Sequence, residues 1–236
     1  MPKTGPDPGA LHLPALDLAR PAAEQIHAAL RAAILDCSIL PGARLSESEI
    51  AARFGASRTP VREALTRLRE DALILTLPSR GSFVSRLSER QIRGAQFLRE
   101  AIECAVVALL AETGLDAPRD AALQATLDAQ AQAIDRGDRP AFQAADDAFH
   151  ATLSAATGIA RLEAALGREK AALDRLRVLS LAEPAHMQRL CADHAGVLAA
   201  IRDRHPEAAI AAMRLHLRRV LGTLAQMIAD HGEYFD

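Results

Sequence analysis

Residues 40–84 read LPGARLSESEIAARFGASRTPVREALTRLREDALILTLPSRGSFV, and this stretch decides the fold of the N-terminal part of the chain. Ser46 and Glu49 form a capping box, in which the serine caps a helix start and the acid reaches back to it. The apolar spacing predicts a short helix over Glu47–Phe54, ended by a glycine. A second helix is predicted after a short polar turn, because Pro60 is tolerated in a first helical turn.

The sequence on either side of these two helices predicts one more helix and a hairpin. Before them, isoleucine and leucine recur at helical spacing over Ala22–Cys37. After them, Leu73–Leu77 and Ser82–Val84 are short β-prone runs around the turn Pro78–Gly81. Three helices followed by a hairpin make a winged helix-turn-helix, which we therefore predict over residues 18–86.

The charges of this segment indicate a polyanionic partner. Nine arginines lie from Arg53 to Arg93 against four acidic residues, whereas the net charge of the whole chain is −2. In a winged helix-turn-helix, the second helix of the turn enters the major groove of double-stranded DNA with its N-terminal residues first. Arg58 and Arg62 are placed to meet guanine edges or phosphates, and Thr59 can meet a phosphate. The alternative is an arginine-bearing helix face that is simply solvated.

The length allows one large or two modest domains, and the composition favours a helical protein in a reducing compartment. Half of the 236 residues are hydrophobic and 3% are aromatic, with alanine and leucine dominating. The three cysteines are scattered and odd in number, which favours a reduced cytoplasm over a disulfide framework. No run of about 18 apolar residues is present, so we expect no membrane partner. Residues 1–17 contain four prolines and are expected to form a disordered tail.

Residues 87–236 are predicted to form an all-helical domain. Proline and glycine separate the helical patterns of this segment, and it contains no strand signal. The predicted helices are Ser88–Thr113, Pro118–Asp135, Pro140–Thr157, Arg161–Leu181, Pro184–Arg204 and Pro206–Asp230. Their apolar stripes favour an antiparallel helical bundle, so the predicted fold class of the whole chain is mainly α.

Four polar side chains interrupt the apolar stripes of three of these helices. His194 and His216 lie among apolar neighbours at helical spacing, and another helix carries an aspartate one turn before a histidine. A buried carboxylate without a partner is costly, and a divalent cation bound by one carboxylate and three neutral imidazoles removes that cost. The suggested ligands are Asp146, His150, His194 and His216, and the suggested metals are zinc, nickel, iron and manganese.

The same residues have plainer interpretations. An inward histidine is more often a hydrogen-bonded core residue than a ligand, and Asp146 could form an ion pair with His150 on one helix face. Asp147 could replace Asp146, and Cys191 could add a ligand, although a small core thiol is favoured. The remaining histidines are expected at the surface. From the residues alone, the metal site and these alternatives stay open.

The stretch quoted above resembles the DNA-binding domain of the GntR superfamily, over about residues 20–86. The resemblance implies that Arg58 and Arg62 contact DNA. It implies further contacts by Ser57, Thr59, Arg80 and Gly81, of which the last two form the tip of the wing. Two departures concern turns, because Ala72 stands where the family usually has glycine, and Asp36-Cys37-Ser38 lacks the common glycine before the loop. Both departures are expected to lower local stability where a positive φ is required.

Residues 146–158, DDAFHATLSAATG, and residues 193–217, DHAGVLAAIRDRHPEAAIAAMRLHL, resemble the FCD effector domain of the FadR-like GntR subfamily. The resemblance implies a metal, with zinc the first choice, held by Asp146, His150, His194 and His216. It also implies that Arg99, four residues before Glu103, clamps a carboxylate effector. The alternative for that arginine is a surface ion pair with Glu103. Ile159 stands where many members have asparagine, so one polar effector contact is expected to be absent.

These expectations combine into a DNA-binding transcriptional regulator rather than an enzyme. The resemblance implies a homodimer, usually a repressor, that binds an inverted-repeat operator and responds to a small organic acid at the metal site. The segment Leu87–Gln91 is the expected moving part. The rival functions are a metal-dependent enzyme such as a hydrolase, a direct sensor of the metal, and a regulator whose metal is purely structural.

Overall fold

The computed structural model describes residues 15–180 and 184–236, except for the side chains of residues 168–172, 180 and 184. Its helices are α1 Ala22–Leu35, α2 Glu47–Phe54, α3 Arg58–Glu70, α4 Glu89–Thr113, α5 Ala117–Arg136, α6 Arg139–Ala156, α7 Arg161–Ser180, α8 Pro184–Arg202 and α9 Pro206–Asp230. Its strands are β1 Arg44–Leu45, β2 Ile74–Leu77 and β3 Gly81–Val84, and a final 3-10 turn covers Gly232–Tyr234. The predicted fold class is confirmed. Most of the predicted N-terminal tail, residues 1–14, lies outside the described residues.

Helices α1, α2 and α3 enclose the N-terminal core. Ile26 of α1 and Leu68 of α3 are completely buried, as large aliphatic side chains facing a common core should be. The capping box is confirmed in part, since the Ser46 hydroxyl accepts the N–H of Glu49 at 3.4 Å. Gly55 ends α2 in the left-handed conformation, at φ +60°, where glycine carries no Cβ penalty. This turn leads directly into α3, whose opposite face remains open to solvent.

The wing is a three-stranded sheet and not a hairpin alone. Strands β2 and β3 pair antiparallel, with Ile74 opposite Val84, as the two β-prone runs predict. Strand β1 adds to the other side of β3, with Arg44 opposite Phe83, so the strand order is β1-β3-β2. A two-residue strand is too short to show an alternating pattern, which is why the sequence did not predict β1.

Two helix ends adopt left-handed backbone where the family resemblance led us to expect glycine. Ala72 follows α3 at φ +57°, and Cys37 follows α1 at φ +56°. After α3, the N–H of Ala72 donates to Arg69 O at 3.0 Å and the N–H of Leu73 donates to Leu68 O at 2.9 Å. This is a Schellman motif, in which glycine is the least costly residue at the position of Ala72.

The helices from α4 to α9 surround a second apolar core. Phe149 of α6, Val197 of α8 and Met213 of α9 are completely buried, so these three helices face one another. Asp116 and Asp138 cap α5 and α6, because each carboxylate accepts the backbone N–H of the residue three positions later at 3.0 Å. Among the described residues, no helix is long and apolar enough to cross a membrane.

The last residues of the chain pack with the N-terminal unit. Contacts divide the chain into one unit that runs up to Ser88 and also includes Ile228–Asp236, and a second unit, Glu89–Met227. In the first unit, the N–H of Leu87 donates to Tyr234 O at 2.8 Å, and the N–H of Asp236 donates to Leu87 O at 3.1 Å. The sequence predicts that two independently folding domains meet between residues 86 and 87. The division into contact units does not test independent folding, so this boundary stays a prediction.

Candidate metal centre and nucleic-acid interface

Helix α3 presents one polar face to solvent. Its buried side consists of Val61, Ala64, Leu65 and Leu68. Ser57, Arg58, Thr59 and Arg62 are all exposed on the other side or at the helix start. The Ser57 side chain makes no capping hydrogen bond, so the first N–H groups of α3 stay available to an anion such as a phosphate.

Arg62 has an intramolecular partner that the sequence did not indicate. Its Nε donates to Glu47 Oε2 of α2 at 2.8 Å. The two side chains keep 64% and 39% of their surface exposed, so the pair is a surface ion pair. A guanidinium in such a pair remains able to exchange the carboxylate for a phosphate or a base edge.

The wing carries its predicted contact residues at an exposed tip. Arg80 and Gly81 are both exposed, and the Arg80 N–H donates to Leu77 O at 3.1 Å across the turn. Ser79 and Gly81 adopt positive φ angles, +59° and +99°, which tighten this turn. The structure thus groups all six predicted DNA contacts into α3 and the wing of one unit.

Three buried histidines meet inside the helical unit. His150 of α6, His194 of α8 and His216 of α9 place their Nε2 atoms together, with 3.1 Å between those of His194 and His216. The Nε2 atoms of His216 and His150 are 3.3 Å apart. The Phe149 ring stacks on His194 with 4.3 Å between ring centroids, which restricts the orientation of that imidazole.

Each imidazole has an oxygen acceptor beside its other nitrogen. His150 Nδ1 lies 2.5 Å from Glu103 Oε2, and His194 Nδ1 lies 2.9 Å from Gln130 Oε1. His216 Nδ1 has no hydrogen bond within the described residues, but it lies 3.7 Å from a carboxylate oxygen of Asp193. These oxygens place the ring protons of His150 and His194 on Nδ1 and favour the same tautomer in His216, which leaves the Nε2 lone pairs facing one another.

Such a cluster fits a cation better than a set of hydrogen-bonded core histidines. Burial lowers the pKa of His194 well below its usual value, and the neighbouring His216 lowers it further. Burial also lowers the pKa of His216, although Asp193 opposes the shift. Both imidazoles are therefore neutral at neutral pH, and unprotonated imidazole nitrogens are the donors that a divalent metal ion takes.

Asp146 lies beside the three histidines but is held by an arginine. Its carboxylate oxygens are 3.9 Å from His150 Nε2 and 3.7 Å from His194 Nε2. Among the described residues, the three histidines bring one nitrogen each within 4.8 Å of one another, and Asp146 lies close to two of these nitrogens. Arg177 Nη2 of α7 donates to Asp146 Oδ2 in a close contact. Burial would raise the pKa of the Asp146 carboxyl, but Arg177 and the histidines hold it well below its usual range.

The two alternative ligands are not grouped with the histidines. Asp147 is half-buried and accepts a hydrogen bond from Arg177 Nη1 at 2.9 Å. Cys191 is a free, half-buried thiol that packs against an apolar cluster with Phe142 and Met187. The structure therefore favours Asp146 over Asp147, and an inert packing role for Cys191.

A cavity of about 50 Å³ opens beside the cluster and is bordered by Asp146, His150 and His216. Arg99, Arg177 and Arg219 also line it. Arg99 points inward, as its spacing predicts, and only 13% of its side chain is exposed. Its Nε lies 2.5 Å from Glu103 Oε1, so the ion pair with Glu103 exists but is buried and not on the surface.

Sequence reasoning missed several residues around this cavity. His186 was expected at the surface, yet it is half-buried and lines the cavity. Arg219 lines the cavity too, and it donates to Asp193 with its Nη2 at 2.9 Å. Gln130 could have been identified as inward, because it continues the stripe of Leu123 and Leu127 on α5 at helical spacing.

Two family models match the chain, one in the segment that contains α3 and the wing and one in the segment that contains the three histidines. The model for "Bacterial regulatory proteins, gntR family" matches residues 22–84, and the FCD domain model matches residues 96–219. The second match alone covers more than half of the 236 residues. The chain belongs to the GntR family of transcriptional regulators and carries an FCD domain.

Relatives of this GntR-family regulator match it over nearly their whole length. The HTH-type transcriptional repressor RspR of Escherichia coli (strain K12) is 34% identical over 220 residues, 93% of this chain and 96% of its own. An HTH-type transcriptional regulator in an unstable DNA locus of Streptomyces ambofaciens is 36% identical over 214 residues, with 89% and 88% covered. These relatives are transcriptional regulators and not enzymes, as predicted, so the hydrolase hypothesis is set aside.

Solved structures show the same fold for the GntR-family regulator. A transcriptional regulator GntR from Rhodococcus sp. RHA1 aligns with a TM-score of 0.66 at 26% identity, covering 86% of this chain and 97% of its own. The E. coli McbR/YncC structure aligns with a TM-score of 0.66 at 23% identity, covering 87% and 98%.

Proposed function

We propose that this regulator is a cytoplasmic homodimeric repressor whose operator binding is modulated by a small organic acid at a metal site in the FCD domain. Its operator is an inverted repeat, since a two-fold protein requires a two-fold DNA site. The cluster of three Nε2 atoms, 3.1 and 3.3 Å apart, is the observation that carries the proposed metal site. The name of the E. coli repressor RspR, which is 34% identical, supports repression over activation.

DNA binding is assigned to α3 and the wing. Arg58 and Arg62 lie exposed in the first turns of the helix that enters a major groove in this fold. Ser57, Thr59 and the free N–H groups of the helix start are assigned to the phosphate backbone. Arg80 and Gly81 at the wing tip supply a second contact beside the helix.

The metal site is assigned to His150, His194, His216 and Asp146. Three neutral imidazoles and one carboxylate suit zinc first, while nickel, iron and manganese accept the same donors. Glu103 and Gln130 orient two of the imidazoles through their Nδ1 atoms. When bound, the cation supplies a positive, Lewis-acidic centre in the cavity wall.

The effector is assigned to the cavity that borders this site. Arg99, Arg177 and Arg219 line it, and guanidinium groups bind carboxylates in two-pronged geometry. A volume of about 50 Å³ restricts the occupant to a small group unless the side chains move. A small organic acid meets both the charge and the size of this space. It can release DNA only if it binds the DNA-incompetent dimer better than the competent one, and the segment Leu87–Gln91 is the proposed moving part.

Operator binding under three conditions tests this function. A duplex selected by the protein from a randomised pool would be titrated with chelator-treated protein, with zinc-loaded protein, and with zinc-loaded protein plus lactate or malonate. The proposal expects an acid to weaken operator binding in the zinc-loaded protein alone. Release by zinc without any acid would indicate a direct metal sensor. An affinity that neither zinc nor acids change would leave the metal a structural clamp and contradict the proposal.

The change in operator binding of an Arg99 variant on addition of acids tests the role of Arg99. Arg99→Ala is expected to retain zinc and operator binding but to lose the response to acids, because its guanidinium contacts the effector. Elemental analysis and operator titration of the variant provide the controls. A normal response to the acid that releases the wild-type protein would end this assignment and leave Arg99 as the buried partner of Glu103.

A further inference from the structure

Arg177 links the proposed metal site to three carboxylates at once. Its Nη2 donates to Asp146, and its Nη1 lies 2.9 Å from Asp147 Oδ1 and 3.5 Å from Asp174 Oδ1. The side chain is 16% exposed, and Asp146 is 3% exposed. A carboxylate so deeply buried must be neutralised in the metal-free protein, and Arg177 is the cation that does so.

We propose that Arg177 is an internal counter-ion that competes with the metal ion for Asp146, and that metal loading turns its guanidinium toward an anion in the cavity. This inference rests on the proposed metal site and adds an order of events to it. The proposed order is metal before acid, because the exchange at Asp146 would release an Nη2 donor that an acid in the adjoining cavity could accept.

The positions of the donor atoms support competition. The three imidazole nitrogens lie within 4.8 Å of one another, and the Asp146 oxygens lie 3.7 and 3.9 Å from two of them, while Oδ2 also accepts a hydrogen bond from Arg177. For Asp146 to offer Oδ2 to a cation, that oxygen would have to give up its contact with Arg177. A dication attracts a carboxylate more strongly than a singly charged guanidinium does at equal distance, so the exchange favours the metal.

The surroundings of Arg177 keep the exchange feasible. A buried guanidinium left without any anion would be strongly destabilising. Asp147 and Asp174 remain beside it after Asp146 is lost, so its charge stays compensated. Arg177 also lines the cavity next to His150 and His216, where a carboxylate can accept the donor released by Asp146.

The opposite role for Arg177 predicts the opposite effect on zinc affinity. If Arg177 stayed on Asp146 and merely oriented it as a metal ligand, its removal would weaken metal binding by about 10–100-fold. If Arg177 competes with the metal, its removal strengthens binding. The sign of the change therefore separates a positioning residue from a competing one.

Zinc affinity of Arg177→Gln, measured by competition with a chromophoric chelator, tests the proposal. We expect binding about tenfold tighter than in the wild type, because the competing charge is gone. Arg202→Gln is the control for the loss of one positive charge, since Arg202 lies in the same unit, pairs with Asp120 and does not line this cavity. An equal gain in both variants would show a general charge effect and overturn the proposal, as would unchanged or weaker binding in Arg177→Gln.

A second variant keeps the test decisive if Arg177→Gln does not fold. Asp147→Asn removes one of the carboxylates that retain Arg177 after the exchange, so zinc binding should weaken roughly fivefold. Unchanged affinity in Asp147→Asn contradicts the proposal. If the wild type binds zinc and the variants show no such changes, the role of Arg177 fails alone. If no form of the protein binds zinc, the metal site and the role of Arg177 fail together.

Discussion

Replacing Glu47 with glutamine should tighten operator binding, because this acid holds Arg62 in the free protein. The Arg62 Nε lies 2.8 Å from Glu47 Oε2, and DNA must take the guanidinium away from that oxygen. An exposed ion pair of this kind contributes about 0.2–1 kcal/mol, so two copies in a dimer cost roughly 0.4–2 kcal/mol on binding. Glu47→Gln is therefore expected to raise operator affinity by roughly two- to thirtyfold.

Arg62→Ala should act in the opposite direction. Loss of a base or phosphate contact costs about 1–3 kcal/mol per copy, so a dimer should lose roughly thirtyfold or more in affinity. If Arg62 contacts phosphate, the plot of log affinity against log salt should flatten by about 0.9 for each of the two copies. Fluorescence anisotropy of a selected duplex at several salt concentrations measures both quantities.

The double variant separates release of Arg62 from a general change of charge. With alanine at position 62, the change at Glu47 should give little further gain, because no guanidinium remains to be released. If Glu47→Gln raised operator affinity just as much in the Arg62→Ala background, Glu47 would act only by repelling DNA. Wild-type affinity in Arg62→Ala would refute the assignment of α3 as the recognition helix.

Three further outcomes follow from the packing and charges of the two units. Ala72→Gly should raise the free energy of chemical unfolding by about 0.5–1 kcal/mol, because it relieves left-handed backbone strain at φ +57°. The control Ala52→Gly, inside α2, should lower it by about 1 kcal/mol. Equal effects of the two substitutions would contradict the Schellman geometry. Glu100 pairs with Arg218, which lowers the pKa of its carboxyl from 4.5 to about 2, so its stabilisation is present above pH 4.5 and is lost as the pH falls toward 2. Because that arginine is exposed, Glu100→Gln should lower stability only slightly at pH 7 and should flatten the pH dependence of the unfolding free energy between these pH values. An unaltered pH profile would contradict the pairing. Phe235→Ala should lower the free energy of unfolding by about 3 kcal/mol, since the Phe235 ring is only 8% exposed within the N-terminal unit. An unchanged thermal unfolding temperature would show that the C-terminal residues do not pack there.

Features that depend on residues close together in the sequence could be predicted from it. The helix Glu47–Phe54 has the predicted bounds because a capping serine and a terminal glycine mark its ends. Helix Pro206–Asp230 also has the predicted bounds, since proline starts it and one apolar stripe runs its length. His194 and His216 could be selected because each interrupts such a stripe.

Features that depend on distant residues could not be predicted in the same way. Glu103 is 47 positions from His150, and Gln130 is 64 positions from His194, so no local spacing connects them. Strand β1 depends on pairing with β3 and leaves no pattern of its own. The pairing of Arg177 with Asp146 likewise appears only once α6 and α7 pack together, and it changes how the metal site is understood.

The zinc content of the purified protein tests the central claim most directly. Elemental analysis after zinc loading and removal of excess metal should give one ion per chain for the wild type. His194→Ala should give almost none, because it removes a completely buried imidazole of the cluster, while circular dichroism confirms that the variant is folded. Full occupancy in the folded His194→Ala variant, or none in the wild type, would contradict the metal site.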